Sequence, residues 1–192
     1  MATFTLTKNG VAYTSAALGI TLLKSSQRPL VSATRERSGT VPGRHGRLDY
    51  GADLESMTFS LSCVFAGATS QAALRDLGQT LAGILLDGET GRPAQIELGF
   101  SDMPGLTWAV VYSGDLDLDM IGPRVGQFTL ELSAYDPSAR EAEDETEATI
   151  TTSPGSLTVT NSGNVPAPAR YILKNTGAAT IHGFTLTRVK EV

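Results

Sequence analysis

The run Met57 to Phe65 limits the possible folds more than any other. Met57, Phe59, Leu61, Cys63 and Phe65 alternate with Thr58, Ser60 and Ser62, and only Val64 is out of step. Side chains along a strand point to opposite faces in turn, so this period of two predicts a strand with one buried side and one wet side. Such a strand needs partners for its backbone and cover for its apolar face. The chain must therefore build a sheet with a packed face. Composition agrees: charged residues are only 18% and there are 20 glycines, a profile of short strands and frequent turns. The length of 192 residues is enough for one full core.

Other segments extend this sheet. Phe4 to Leu23 carries short apolar groups around Asn9-Gly10, which predicts a hairpin-like start. After Gly67, with Thr69 or Ser70 as cap, Ala72, Ala73, Leu77, Leu81, Ile84 and Leu85 recur at helical spacing until Asp87-Gly88, predicting one amphipathic helix over 70–86. Pro93 to Phe100, Thr107 to Ser113, Leu116 to Ile121 and Gly126 to Tyr135 read as four more strands between Gly- and Pro-containing turns. The expected fold is mainly β: residues 1–135 as a β-sandwich or split barrel with one packed α-helix. Residues 136–148, with Asp136, Glu141, Glu143, Asp144, Glu145 and Glu147 against Arg140, read as a solvated acidic linker. Thr149-Ile150, Leu157–Val159, Arg170–Leu173 and Phe184–Leu186 read as short strands of a partial second β domain over 149–192, too small to hold a core alone. A strand-like run just before Val192 favours truncation of that domain.

Charge is distributed unevenly. Lys24 to Tyr50 carries Lys24, Arg28, Arg35, Arg37, Arg44 and Arg47 against Glu36 and Asp49, and 41–51 is dense in turn formers. It reads as a projecting basic arm that meets something acidic, such as a neighbouring copy. Nucleic acid fits less well, because only Tyr50 interleaves the cations and the net charge is −5. Asp115, Asp117 and Asp119 alternate with Leu116 and Leu118, as on a half-exposed strand whose acidic face could receive that arm. Arg35, Arg37, Arg44, Arg47, Asp115, Asp117 and Asp119 are thus the candidate intersubunit contacts.

Little in the chain indicates catalysis. His45 and His182 lie in different segments with no serine, cysteine or carboxylate arrangement around them, and the glycines form no phosphate loop. Cys63 reads as a small core residue. No catalytic, cofactor-binding or metal-binding residues are expected. No run approaches the ~20 apolar residues that span a bilayer, and no secretory signal opens the chain, which implies synthesis in the cytoplasm.

The run Val41-Pro42-Gly43-Arg44-His45-Gly46-Arg47-Leu48-Asp49-Tyr50-Gly51, followed by the strand Met57 to Phe65, resembles the distal tail proteins of long-tailed (siphovirus-like) bacteriophages. The likeness extends to the helix at 70–86 and to Thr158-Val159-Thr160-Asn161-Ser162-Gly163 with Pro166 and Pro168, which looks like that family's entry into its second domain. The resemblance implies a virion protein forming a ring, usually hexameric, at the distal end of the tail tube. The ring joins the tube protein to the tail-tip or baseplate hub, with no enzymatic activity. A galectin-like β-sandwich would project outward, here shortened, and the basic arm would help neighbouring subunits clasp. The competing reading is a carbohydrate-binding β-sandwich for host adhesion, with Trp108, Tyr112 and Tyr171 as its candidate aromatics.

Overall fold

The computed structural model describes residues 2–141, 147–159, 163 and 170–187. The chain divides into two compact units, Met1–Glu145 and Thr146–Val192. The first contains β1 (Phe4–Lys8), β2 (Val11–Thr14), β3 (Ile20–Leu22), β4 (Thr34–Gly39), β5 (Leu48–Leu54), β6 (Met57–Phe65), α1 (Gln71–Leu85), β7 (Gln95–Phe100), β8 (Met103–Tyr112), β9 (Asp119–Gly122) and β10 (Val125–Ala134). Eight strands form one sheet in the order β2-β1-β7-β8-β10-β6-β3, with β9 also on β10. The sheet curls into a half-barrel, and the mainly β reading with a single helix holds. Among the described residues β4 and β5 pair only with each other.

The alternating strand lies deep in this sheet. Met57, Phe59, Leu61, Cys63 and Phe65 are all buried. β6 pairs with β10 along its whole length, from Met57 opposite Ala134 to Phe65 opposite Gly126. The other edge of β10 is shared: β9 lies beside Val125–Gln127 and β8 beside Leu132 and Ser133. Phe59, Phe100 and Trp108 pack edge to face or tilted at 5.5–6.0 Å between ring centroids, and Phe65 meets Phe128 at 4.6 Å. Asn9 and Gly10 both take positive φ, 51° and 78°, as a two-residue hairpin between right-twisted strands requires.

Helix α1 begins at Ser70, whose hydroxyl accepts the Ala73 N–H at 3.2 Å. Leu74, Leu81, Ile84 and Leu85 enter the common core. The last turn has no basic residue of its own. Lys8 of β1 supplies the charge instead, its Nζ donating to the carbonyls of Gly83 (2.9 Å) and Leu86 (2.6 Å). Asp87 then closes the turn by accepting from the N–H groups of Glu89 and Thr90 and from the Thr90 hydroxyl.

Three segments differ from the sequence reading. The strand expected over Leu116 to Ile121 is only Asp119–Gly122. Leu116 and Leu118 pack onto the core, which holds 115–118 off the ladder. The start of the acidic stretch is not free linker. Arg140 and Thr107 exchange backbone hydrogen bonds at 2.7 and 2.8 Å, tying 136–140 back to β8. The described residues of the second unit form no strand. The apolar groups read as strands there, including Ile150, Leu157, Tyr171, Ile172, Leu173, Phe184 and Leu186, are exposed. So short a segment has too few partners to bury them. Asn175 makes a turn, accepting from Gly177 N–H and donating to the Ala179 carbonyl. Of the domain-entry motif, Thr160, Asn161, Ser162, Pro166 and Pro168 lie outside the described residues.

Candidate interaction surface

The basic arm is the β4–β5 hairpin and the segment leading to it. Its register runs from Thr34 opposite Leu54 to Gly39 opposite Leu48, with an irregularity between Glu36 and Ser38. Tyr50 lies over Gly39: a Cβ built there would meet the ring at 2.8 Å, so the glycine is what admits it. The tip, residues 40–47, turns through Gly43 and Gly46 at φ +82° and +86°. At the base, Arg28 stacks over Phe100 at 4.9 Å and pairs with Asp102 at 2.9 Å. It thereby pins the start of the arm to the aromatic cluster.

Within the arm, the charges sort by position. Arg35 (3.5 Å) and Arg37 both reach the carboxylate of Asp53 on the facing strand. They share this one carboxylate, a pairing that sequence spacing did not reveal because Asp53 belongs to the returning strand. Arg44 and Arg47, at and beside the tip, meet no carboxylate among the described residues. The tip therefore carries two cations with no carboxylate partner among the described residues. Exposed apolar groups accompany it: Leu30, Val31, Val41, Tyr50 and Leu54.

On the acidic side, Asp115, Asp117 and Asp119 are exposed while Leu116 and Leu118 turn inward. Leu118 fills a notch above Gly126, where a Cβ would lie 2.6 Å from its Cδ1. Asp119 pairs with Gln127 across β9 and β10. The Tyr112 hydroxyl titrates above its ordinary range, first because of burial and then because Asp115, Asp117 and Glu131 add negative potential. Glu131 of β10 thus joins this ledge. It was missed because it is adjacent across strands, not along the chain.

Cys63 is fully buried, and burial pushes its thiol up to about 12. His45 is exposed at the hairpin tip, and His182 is exposed in the second unit. Among the described residues no group of three or more His, Cys, Asp or Glu could hold a metal ion, and no helix is long and apolar enough to cross a membrane. Trp108, a candidate sugar-stacking residue, is buried in the aromatic cluster, and Tyr112 is half-buried.

Known proteins give the sheet a context. The structure superposes on the crystal structure of the Dit protein (gp 19.1) of phage SPP1, described as a paradigm of the hub adsorption apparatus in phages infecting Gram-positive hosts. The TM-score is 0.54 at 18% identity, covering 70% of this chain and 50% of that one, so the chain spans about half the length of that relative. No curated protein sequence matches significantly. The family model described as a phage tail protein RIFT-related domain matches residues 13–134, which take in the arm, α1 and β3 to β10 but not β1. The chain accordingly belongs to the phage tail proteins built on the RIFT-related domain, and it is a structural component of a phage tail.

Proposed function

We propose that this chain is the repeating subunit of a ring, expected to be hexameric, at the distal end of the tail tube. There it connects the tube protein to the tail-tip or baseplate hub that carries host recognition, and it has no enzymatic role. The observation that carries this reading is the arm: a hairpin that, among the described residues, pairs with no other strand and carries two arginines without a carboxylate partner, beside a set of exposed apolar side chains. Such a surface is costly to leave in water and is well suited to another subunit. Closed rings require a heterologous contact, in which one patch meets a different patch on the next copy. Arg44 and Arg47 on one side, and the ledge of Asp115, Asp117 and Asp119 with Glu131 on the other, supply charges of opposite sign for it. Arg35 and Arg37 hold the hairpin's shape through Asp53 and contribute at the rim.

Light scattering after size exclusion tests this. The expected result is a discrete closed oligomer that weakens as salt rises, because exposed charge pairs are screened. Arg44→Glu with Arg47→Glu is expected to reduce assembly at least tenfold, and adding Asp115→Arg with Asp117→Arg to restore part of it. Normal assembly of the arginine double variant would refute the charged contact.

A further inference from the structure

A polar cleft lies on the solvent face of the sheet, and none of its lining residues belongs to the arm. Across β1, β7 and β8, Thr7 lies opposite Glu97 and Glu97 opposite Ala109, so these three side chains share one face. Leu6, Ile96, Leu98 and Val110 take the other face, in the core. With Gln95, two residues before Glu97, the three floor a cleft of about 660 Å³, within the ~300–1,000 Å³ usual for small-molecule sites. Ala109 adds little bulk to that floor. The Asn9-Gly10 turn, the turn after α1 with Asp87 and Arg92, and Arg140 border it. No aromatic ring lines it.

Several polar groups around the cleft are already committed, and they fix its borders. Lys8 donates to the carbonyls of Gly83 and Leu86, Asp87 accepts from Glu89 and Thr90, and the Arg140 guanidinium pairs with Asp136 at 3.1 Å. Backbone bonds between Arg140 and Thr107, and between Asp87 and Arg92, hold the same borders. The rest are free. Among the described residues Thr7, Asn9, Arg92, Gln95 and Glu97 make no side-chain hydrogen bond or ion pair within the chain. A hydroxyl, a guanidinium, two carboxamides and a carboxylate thus line one concave surface, all available to a ligand.

This set selects by charge and by donor pattern. A ligand of net negative charge is repelled by Glu97 and one of net positive charge by Arg92. An apolar ligand would strip water from these groups without replacing their hydrogen bonds. A neutral hydroxyl suits every one of them: it donates to a carboxylate, accepts from a guanidinium, and does either with a carboxamide. Guanidinium, carboxylate and carboxamide each offer two neighbouring sites, which match hydroxyls on adjacent carbons. We propose that this cleft binds a neutral saccharide, with Gln95 and Glu97 on the floor and Arg92 at the border as its principal hydrogen-bonding partners. The site stands on the half-barrel itself and uses none of the aromatic candidates for sugar stacking; Trp108, the neighbour of Ala109, is buried on the opposite face. A sugar held without stacking is held by exchangeable hydrogen bonds, so binding is weak, in the millimolar range, and sensitive to the arrangement of hydroxyls. It needs no second copy of the chain and does not rest on the ring reading.

Saturation-transfer NMR on the full chain tests it, with glucose, galactose, N-acetylglucosamine and maltose each added at millimolar concentration. The expected result is transfer to at least one of the four. It should fall several-fold in Gln95→Ala with Glu97→Ala, and also in Ala109→Leu, which fills the floor without removing a polar group. Tyr171→Ala, an exposed aromatic of the second unit, is expected to leave it unchanged. No transfer to any of the four sugars would overturn the site. So would a signal that survives the Gln95 and Glu97 double variant, or one lost with Tyr171→Ala. Displacement of the sugar by an equal concentration of inorganic phosphate or glycine would overturn it as well, because it would mark a site for ions or zwitterions. Gln95 and Glu97 are exposed, so their double variant is expected to keep the native circular dichroism and the oligomer mass of the unmodified chain. A changed mass would mean that the cleft is covered by another copy, and would sink the proposal.

Discussion

Lys8 shows how a single side chain can finish a distant element. Helix α1 ends with no basic residue in its last turn, and the ammonium of β1 donates to two of its terminal carbonyls. Those carbonyls have no intrahelical partner, and a cation at that end also meets the negative pole of the helix. Lys8→Met keeps the aliphatic stem and removes the donor. It is expected to cost about 1 kcal/mol and to lower the melting temperature by about 3 °C, as read by thermal denaturation. Gly126 is the opposite case, where the absence of a side chain matters. Leu118 Cδ1 and Leu74 Cδ2 occupy the space a Cβ would enter, at 2.6 and 3.2 Å. Gly126→Val is a good strand former in a strand position, yet it should destabilise by about 1–3 kcal/mol through overpacking. Urea titration checks this, and a stabilised variant would mean that Leu118 has somewhere else to go.

Among the elements, the arm is where local sequence and spatial arrangement diverge most. Its turn chemistry was legible: Pro42-Gly43 and Gly46 set the tip, and the cations made projection the reasonable expectation. Its internal ion pairing was not, since Asp53 reaches Arg35 and Arg37 only after β5 folds back. Arg28, counted along with the other cations, proves to belong to the body of the domain. Its contact with Phe100 and Asp102 fixes the angle at which the arm leaves. Arg28→Ala is expected to cost about 1 kcal/mol and to speed proteolysis across 29–33, with cleavage followed by mass spectrometry. An unchanged cleavage rate would show that the Gln27 and Ala33 backbone bonds hold the arm without it.

For the whole molecule, two turns contribute to stability against acid. Asp87 is held below the usual aspartate range by the N–H of Thr90, then by its hydroxyl and the N–H of Glu89. Asp136 is lowered by the N–H of Ser138 and then by Arg140. A depressed folded value means stability that is full above the unfolded value near 4 and is lost as pH falls through the folded one. The unfolding free energy should therefore decline as pH drops from about 5 towards 2, and Asp87→Asn with Asp136→Asn should flatten that decline in urea titrations at each pH. The sheet itself was legible because alternation at β6 and β10, and helical spacing at α1, are local imprints of burial. Ser70 and Asn9-Gly10 likewise act on neighbours a few residues away. Tertiary structure alone decided that Leu116 and Leu118 leave the ladder, that Arg140 returns to Thr107, and that Glu131 joins the acidic ledge. It also decided that the apolar runs among the described residues after 147 form no strand. Periodicity along a chain records which side of an element is buried. Which distant segment provides the cover, or whether any does, depends on packing between elements far apart in sequence, and no local pattern encodes it.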